Sequence, residues 1–114
     1  MEEKITAHLD TALDMAQEIL QGVADGKLDK NALALVEAMV SYTWVLIADI
    51  YVYNYASHIT SPKALQLYTA CNYELQEAKR VIVQLMQPKG NKRLLNVIAG
   101  HIAVVRYHLK QTHL

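Results

Sequence analysis

The sequence contains few of the residues that mark disulfide scaffolds, linkers or disordered chains. Its 114 residues include one cysteine, Cys71, two prolines, four glycines and no phenylalanine. A single cysteine excludes an intramolecular disulfide framework and any metal site built from several cysteines. So little proline and glycine is not typical of a disordered or linker-rich chain. The length predicts one domain, residues 1–114.

Long apolar runs are also missing. The longest, Ala38 to Ala48, has eleven residues and is interrupted by Ser41 and Thr43. A membrane span needs about 20 apolar residues. The first ten residues, MEEKITAHLD, have neither the basic start nor the apolar stretch of a signal peptide. We therefore expect a soluble, cytoplasmic protein with no membrane partner.

Apolar residues recur at three- and four-residue steps in four segments, and this spacing predicts four helices. The predicted helices cover residues 3–23, 29–57, 62–87 and 92–112, and the apolar stripe of the third begins with Leu65. Turn-forming or capping pairs lie between them, of which Ser61-Pro62 is the sharpest signal. The loops are two to six residues long, so consecutive helices should be antiparallel neighbours. The sequence thus predicts an all-α fold, a four-helix up-down-up-down antiparallel bundle.

The second predicted helix is long and apolar on nearly all sides. One apolar stripe includes Leu33, Val36, Val40 and Trp44, while Leu35 and Met39 cover other sides. Residues 45–55 are also rich in β-formers, so a strand is an alternative there, although the length and the lack of breakers favour helix. At 1.5 Å per residue this helix is about 43 Å long, and helices one and four are about 32 Å. We therefore expect the hairpin between helices two and three to extend beyond the bundle.

Apolar surface in that extension predicts an association surface. Tyrosine suits an interface because its ring is buried while its hydroxyl group forms a hydrogen bond. We expect a homo-oligomer, in the simplest case a dimer, with an interface that includes Tyr51, Tyr53, Tyr55, Ile59 and Tyr68.

Charge is divided unequally between the two halves of a chain whose net charge is zero. Residues 1–62 contain nine acidic and three basic residues, whereas residues 63–114 contain two acidic and eight basic ones. One interpretation is that acidic and basic faces neutralise each other, between helices one and four or between subunits. The other is weak, salt-sensitive contact with an anionic partner, nucleic acid above all. The candidate residues for that contact are Lys79, Arg80, Lys89, Lys92 and Arg93.

Histidine spacing gives no indication of a metal site. His101 and His108 are seven residues apart, or about 10 Å along a helix. Chelation by one helix requires a spacing of three or four residues. The sequence also lacks the Glu-x-x-His pair of di-iron bundles. We expect neither a metal nor another cofactor.

Arg106, in the last predicted helix, and His113, just after its end, are separated by six residues. This R-x6-H string resembles the motif of HEPN-domain ribonucleases, although Tyr107 stands where that family usually has a small polar residue. The resemblance implies a small helical bundle that dimerises so that paired arginines and histidines line a cleft. It also implies that Arg106 stabilises the phosphorane charge and that His113 acts as general base.

No other catalytic signature is present, so the first hypothesis is a non-enzymatic assembly or interaction protein. Its acidic half is N-terminal, and its basic half would contact any anionic partner. The alternative hypothesis is a HEPN-like ribonuclease, and a binder of small ligands between the helices comes third. The first two differ in one geometric requirement, because only a nuclease needs Arg106 and His113 of two protomers to converge.

Overall fold

Four helices pack side by side along their lengths. The computed structural model describes residues 2–56 and 62–111. The helices are α1 (Glu2–Ala24), α2 (Leu33–Ala56), α3 (Pro62–Met86) and α4 (Leu94–Gln111). α1 and α3 each pack against both α2 and α4, and the predicted four-helix bundle is confirmed. Residues 45–55 are helical rather than extended, and no strand occurs within the described ranges.

The α1 helix forms because apolar residues at three- and four-residue steps give it one buried face. The buried positions are Leu9, Leu13, Ala16, Leu20 and Val23. The helix ends at Ala24, and Gly26 follows in the turn with a φ of 75°, which is accessible to glycine at little cost. The N–H groups of Lys27 and Leu28 then donate to the Gly22 carbonyl oxygen at 2.9 and 3.0 Å.

Helices α2 and α4 begin later than the sequence predicted, because capping turns precede them. Asp29 Oδ1 accepts a hydrogen bond of 2.7 Å from the Asn31 N–H and starts a short 3-10 turn, Lys30–Ala32. Asn91 Oδ1 accepts a similar bond of 2.9 Å from the Arg93 N–H. With 24 residues, α2 is about 36 Å long, close to the length of α1 with 23 residues.

The core runs along the bundle axis and receives side chains from all four helices. Two details correct the predicted apolar stripes. Leu67 is buried at the start of α3, whereas Leu65 is 49% exposed, since residues two positions apart lie on opposite sides of a helix. On α2, Thr43 is fully buried and its hydroxyl donates to the Met39 carbonyl oxygen at 2.8 Å. Trp44, expected in the stripe, is half-buried beside the core.

One segment within the described ranges, Lys30–Ile50, is long and apolar enough to cross a membrane by length and composition alone. This segment is longer than the eleven-residue apolar run of the sequence because it includes several polar residues. A mostly buried core helix of a soluble protein can have the same properties, and 33% of this segment is buried. Here α2 contributes four apolar side chains to the core, namely Leu33, Val36, Val40 and Ile47.

Candidate functional site

The acidic and basic halves of the chain meet where α1 packs against α4. Arg106 Nε donates to Asp10 Oδ1 at 2.8 Å, and Nη1 donates to Asp14 Oδ1 at 2.9 Å and to Gln17 Oε1 at 2.6 Å. The side chain of Arg106 is only 18% exposed. The hydrogen bond to Asp10 is the main reason why the pKa of Arg106 is raised. At this contact, charge neutralisation occurs within one bundle.

This contact bears on the ribonuclease hypothesis. All three guanidinium nitrogens of Arg106 face acceptors on α1, since Nη2 also lies 3.4 Å from Asp10 Oδ2. His113 lies outside the described residues. Convergence of Arg106 and His113 from two protomers therefore stays a prediction. For Arg106 to reach such a cleft, its hydrogen bonds to the acceptors on α1 would have to break.

The two acidic residues of the basic half are both engaged. His101 Nδ1 on α4 lies 2.5 Å from Glu74 Oε2 on α3. Glu77 accepts hydrogen bonds from Arg80 Nε and Nη2 at 3.1 and 2.8 Å. This pairing lowers the pKa of Glu77 and raises that of Arg80. The charge of Arg80 is thus compensated locally.

The five residues proposed for anion contact fall into two groups. Lys79 and Arg80 lie on α3, and Lys79 is about 10 Å before the end of that helix. Lys89, Lys92 and Arg93 are exposed in the loop between α3 and α4. The chain thus has two separate cationic regions instead of one.

Two further lysines lie at the same end of the bundle as the α3–α4 loop. Lys30 Nζ donates to the Gln87 carbonyl oxygen at 2.8 Å, and Lys27 is exposed in the loop that precedes it. A cavity of about 310 Å³ lies between these loops and is lined by Lys30 and Lys92, among others. We call this region the basic end and define it as Lys27, Lys30, Lys89, Lys92 and Arg93.

Sequence reasoning assigned Lys27 and Lys30 to the acidic half and missed them. The signal was present, because an up-down bundle brings its first and third loops to one end. Two acids also lie there, and both are already engaged. Asp25 Oδ1 accepts a hydrogen bond from Gln21 Nε2, and Asp29 caps the turn before α2.

A groove of about 460 Å³ runs between α2 and α3. Its apolar lining consists of Val40, Trp44, Leu75 and Val83. Lys79 is among the polar residues that line the groove. The groove thus contains Lys79 and Arg80, the cationic group on α3.

The exposed side of α2 is apolar along most of its described length. Six residues on this side are exposed, and Asp49 is the only charged one. Tyr42 is hydrogen-bonded to His8 Nε2 through its hydroxyl group, 3.0 Å away, yet remains 45% exposed. We call this surface the outer face of α2 and define it as Ala34, Leu35, Ala38, Tyr42, Val45 and Asp49.

The predicted interface tyrosines lie beyond this surface along the chain. Tyr51, Tyr53 and Tyr55 belong to the last turns of α2. Ile59 lies outside the described residues. Tyr68 is half-buried and packs against the core.

Within the described ranges, no group of three or more His, Cys, Asp or Glu side chains could hold a metal ion. Cys71 is fully buried. Burial, and secondarily the negative charge of Glu74, raise the pKa of its thiol to about 12. A thiol in this state is a packing group rather than a nucleophile or a metal ligand.

Comparison of the chain with protein-family models, curated proteins and solved structures finds no match.

Proposed function

We propose that the protein is a helical assembly protein that forms a homodimer through the outer face of α2. The observation that supports the proposal is the exposure of apolar side chains at helical spacing on this face. Leu35 is 57% exposed, Tyr42 45% and Val45 49%. The steps from residue 35 to 38, 42, 45 and 49 alternate between three and four residues, which is the spacing of a coiled-coil seam.

The chemistry of this face fits a second copy of the chain. A two-fold interface places the same patch on both partners, so the patch must be compatible with itself. The outer face of α2 carries no basic residue and a single acid, Asp49, at one end. The exposed side of α1 differs, because it includes Asp14 and Glu18, and self-pairing there would oppose like charges.

The charge of Asp49 also favours one relative orientation of the two α2 helices in the dimer. In a parallel pair of α2 helices, the two Asp49 carboxylates would face each other. In an antiparallel pair centred near Tyr42, they would be about 21 Å apart. We therefore propose an antiparallel arrangement.

The test is the molar mass of the protein by light scattering at tens of micromolar concentration. The expected result is a dimer for the wild type and a monomer for Val45→Glu, since burial of an unpaired carboxylate costs several kcal/mol. Val97→Glu is the matched control, because Val97 is 43% exposed on α4. A monomeric wild type, or equal dissociation of both variants, would contradict the proposal.

A second function is supported by the basic end, which carries five cationic side chains on two loops. We propose that it contacts a polyanion such as nucleic acid through phosphate groups. With two engaged acids nearby, the net charge of this region is about +3, which provides attraction without base recognition. The salt dependence of binding, described in the Discussion, tests this second function.

A further inference from the structure

The groove between α2 and α3 combines an apolar floor with one uncompensated cation. Its volume of about 460 Å³ falls in the range of small-molecule sites, about 300–1,000 Å³. Val40 and Leu75 at its base are each 1% exposed, while Val83 at its side is 45% exposed. A ligand in the groove would therefore remove apolar surface of Val83 and of the half-buried Trp44 from water, which is favourable, whereas Val40 and Leu75 are already shielded from water.

Charge in the groove is concentrated on one side chain. Lys79 and Arg80 both line it, and none of the described side chains that line it is acidic. Arg80 is paired with Glu77 at 2.8 Å, whereas Lys79 forms no ion pair within residues 2–56 and 62–111. The Lys79 ammonium group is thus the one positive charge in the groove that a ligand could neutralise.

Hydrogen bonds hold the aromatic wall of the groove in place. Trp44 Nε1 donates to Asn72 Oδ1 at 2.7 Å, and Gln76 Nε2 donates to the same oxygen at 3.2 Å. The indole N–H is therefore satisfied without a ligand. Because its orientation is fixed beforehand, binding does not have to order this side chain.

We propose that this groove binds a small amphiphile with a single carboxylate headgroup. The apolar body of the ligand lies against Trp44 and Val83, above the buried Val40 and Leu75, and the carboxylate pairs with Lys79. A singly charged headgroup fits because only one cation in the groove lacks a partner. This site is separate from the outer face of α2 and does not depend on dimerisation.

The fluorescence of Trp44 tests the proposal directly, because Trp44 is the only tryptophan in the chain. The probes are decanoate and its neutral counterpart decanol, each added below the concentration at which it self-associates. We expect a saturable change in Trp44 emission with both, and about tenfold tighter binding of decanoate, as one charge-assisted pair would give.

Two variants that each remove one positive charge distinguish binding in the groove from a general effect of surface charge. Lys79→Gln should weaken decanoate binding about tenfold and leave decanol binding unchanged. Lys110→Gln, which removes an exposed lysine on α4, should change neither. Val83→Asp should weaken the binding of both probes.

Several outcomes would overturn the proposal. One is the absence of a saturable response to decanoate, and another is equal affinity for decanoate and decanol. An equal loss of decanoate binding in the Lys79 and Lys110 variants would also contradict it. If Trp44 emission instead follows protein concentration without ligand, a second copy occupies the groove and no amphiphile site exists there.

Discussion

Arg106 and Asp10 are 96 positions apart in the chain, yet their side chains form a hydrogen bond of 2.8 Å between Nε and Oδ1. The pair is partly buried, with side chains 18% and 22% exposed. It joins the last helix to the first and so closes the bundle. The same contact brings the acidic half of the sequence against the basic half.

The first prediction concerns this ion pair. Arg106→Met should lower the free energy of unfolding by about 1–2 kcal/mol, because Asp10 loses a charge-assisted hydrogen bond in a partly buried position. Chemical denaturation measures the change. Arg93→Met is the control: Arg93 is exposed and forms no ion pair in the described part of the chain, so its replacement should cost less than about 0.5 kcal/mol.

The same variant separates assembly from nuclease activity. If the protein were a HEPN-like ribonuclease, Arg106→Met would abolish RNA cleavage. Full stability of this variant together with loss of cleavage would contradict the structural role of Arg106 and support the nuclease.

The second prediction concerns Gly90, in the loop before α4. A Cβ atom at this position would clash with the Leu85 carbonyl oxygen, so the backbone of α3 would have to move. Gly90→Ala should therefore destabilise the protein by about 1–3 kcal/mol. Gly100→Ala is the opposite case, since no atom of another described segment lies within 4 Å of a Cβ placed at this position in α4.

Thermal unfolding compares these two glycine variants. Alanine at position 100 should raise stability by about 0.5–1 kcal/mol, because glycine is unfavourable inside a helix. Equal effects of the two substitutions would show that Gly90 is not sterically required.

The third prediction concerns pH. The pKa of the Cys71 thiol is about 12 in the folded state, compared with an ordinary value of 9.0. Between these values the unfolded chain loses the thiol proton and the folded chain keeps it. The contribution of Cys71 to stability is therefore complete below pH 9 and is lost as pH rises toward 12.

Denaturation at several alkaline pH values measures this loss. Because tyrosines and lysines also ionise there, the relevant quantity is the difference in slope between the wild type and Cys71→Ala. The wild type should lose stability more steeply with pH. Parallel curves for the two proteins would mean that the thiol is not buried as described.

The fourth prediction concerns the orientation of the dimer. In the antiparallel pair, the two copies of residue 42 lie near the two-fold axis and so close to each other. Tyr42→Cys should therefore form a disulfide-linked dimer on mild oxidation, because a disulfide requires Cα atoms within about 7 Å. Asp49→Cys should not, since its copies would be about 21 Å apart. Gel electrophoresis without reducing agent distinguishes them, and cross-linking of Asp49→Cys as well as Tyr42→Cys would indicate a parallel pair.

The fifth prediction concerns the basic end. If it neutralises about four phosphates of duplex DNA, the logarithm of affinity should fall with the logarithm of salt concentration at a slope near −3.6. Charge reversal at Lys92 and Arg93 should weaken binding to every sequence alike, whereas Lys79→Gln should have little effect. A gel shift without retardation at low salt and tens of micromolar protein would exclude this function.

The sequence by itself determined the local features of the fold. Helical periodicity predicted four helices, and Gly26 and Pro62 marked a stop and a start that the structure confirms. Short loops predicted the antiparallel order. These features depend on backbone preferences and on neighbours within a few residues, so the sequence alone contains the information.

The tertiary structure decided how each helix is rotated about its axis. On α2, which is apolar on nearly all sides, the sequence does not show which side faces water, and packing leaves Leu35 and Val45 exposed. Rotation also brings Arg106 to Asp10 and buries Leu67 in place of Leu65. Loop placement likewise brings Lys30 to Gln87. Each of these contacts joins two segments that are distant in the sequence. They depend on how all four helices pack together, so the pattern within one segment does not predict them.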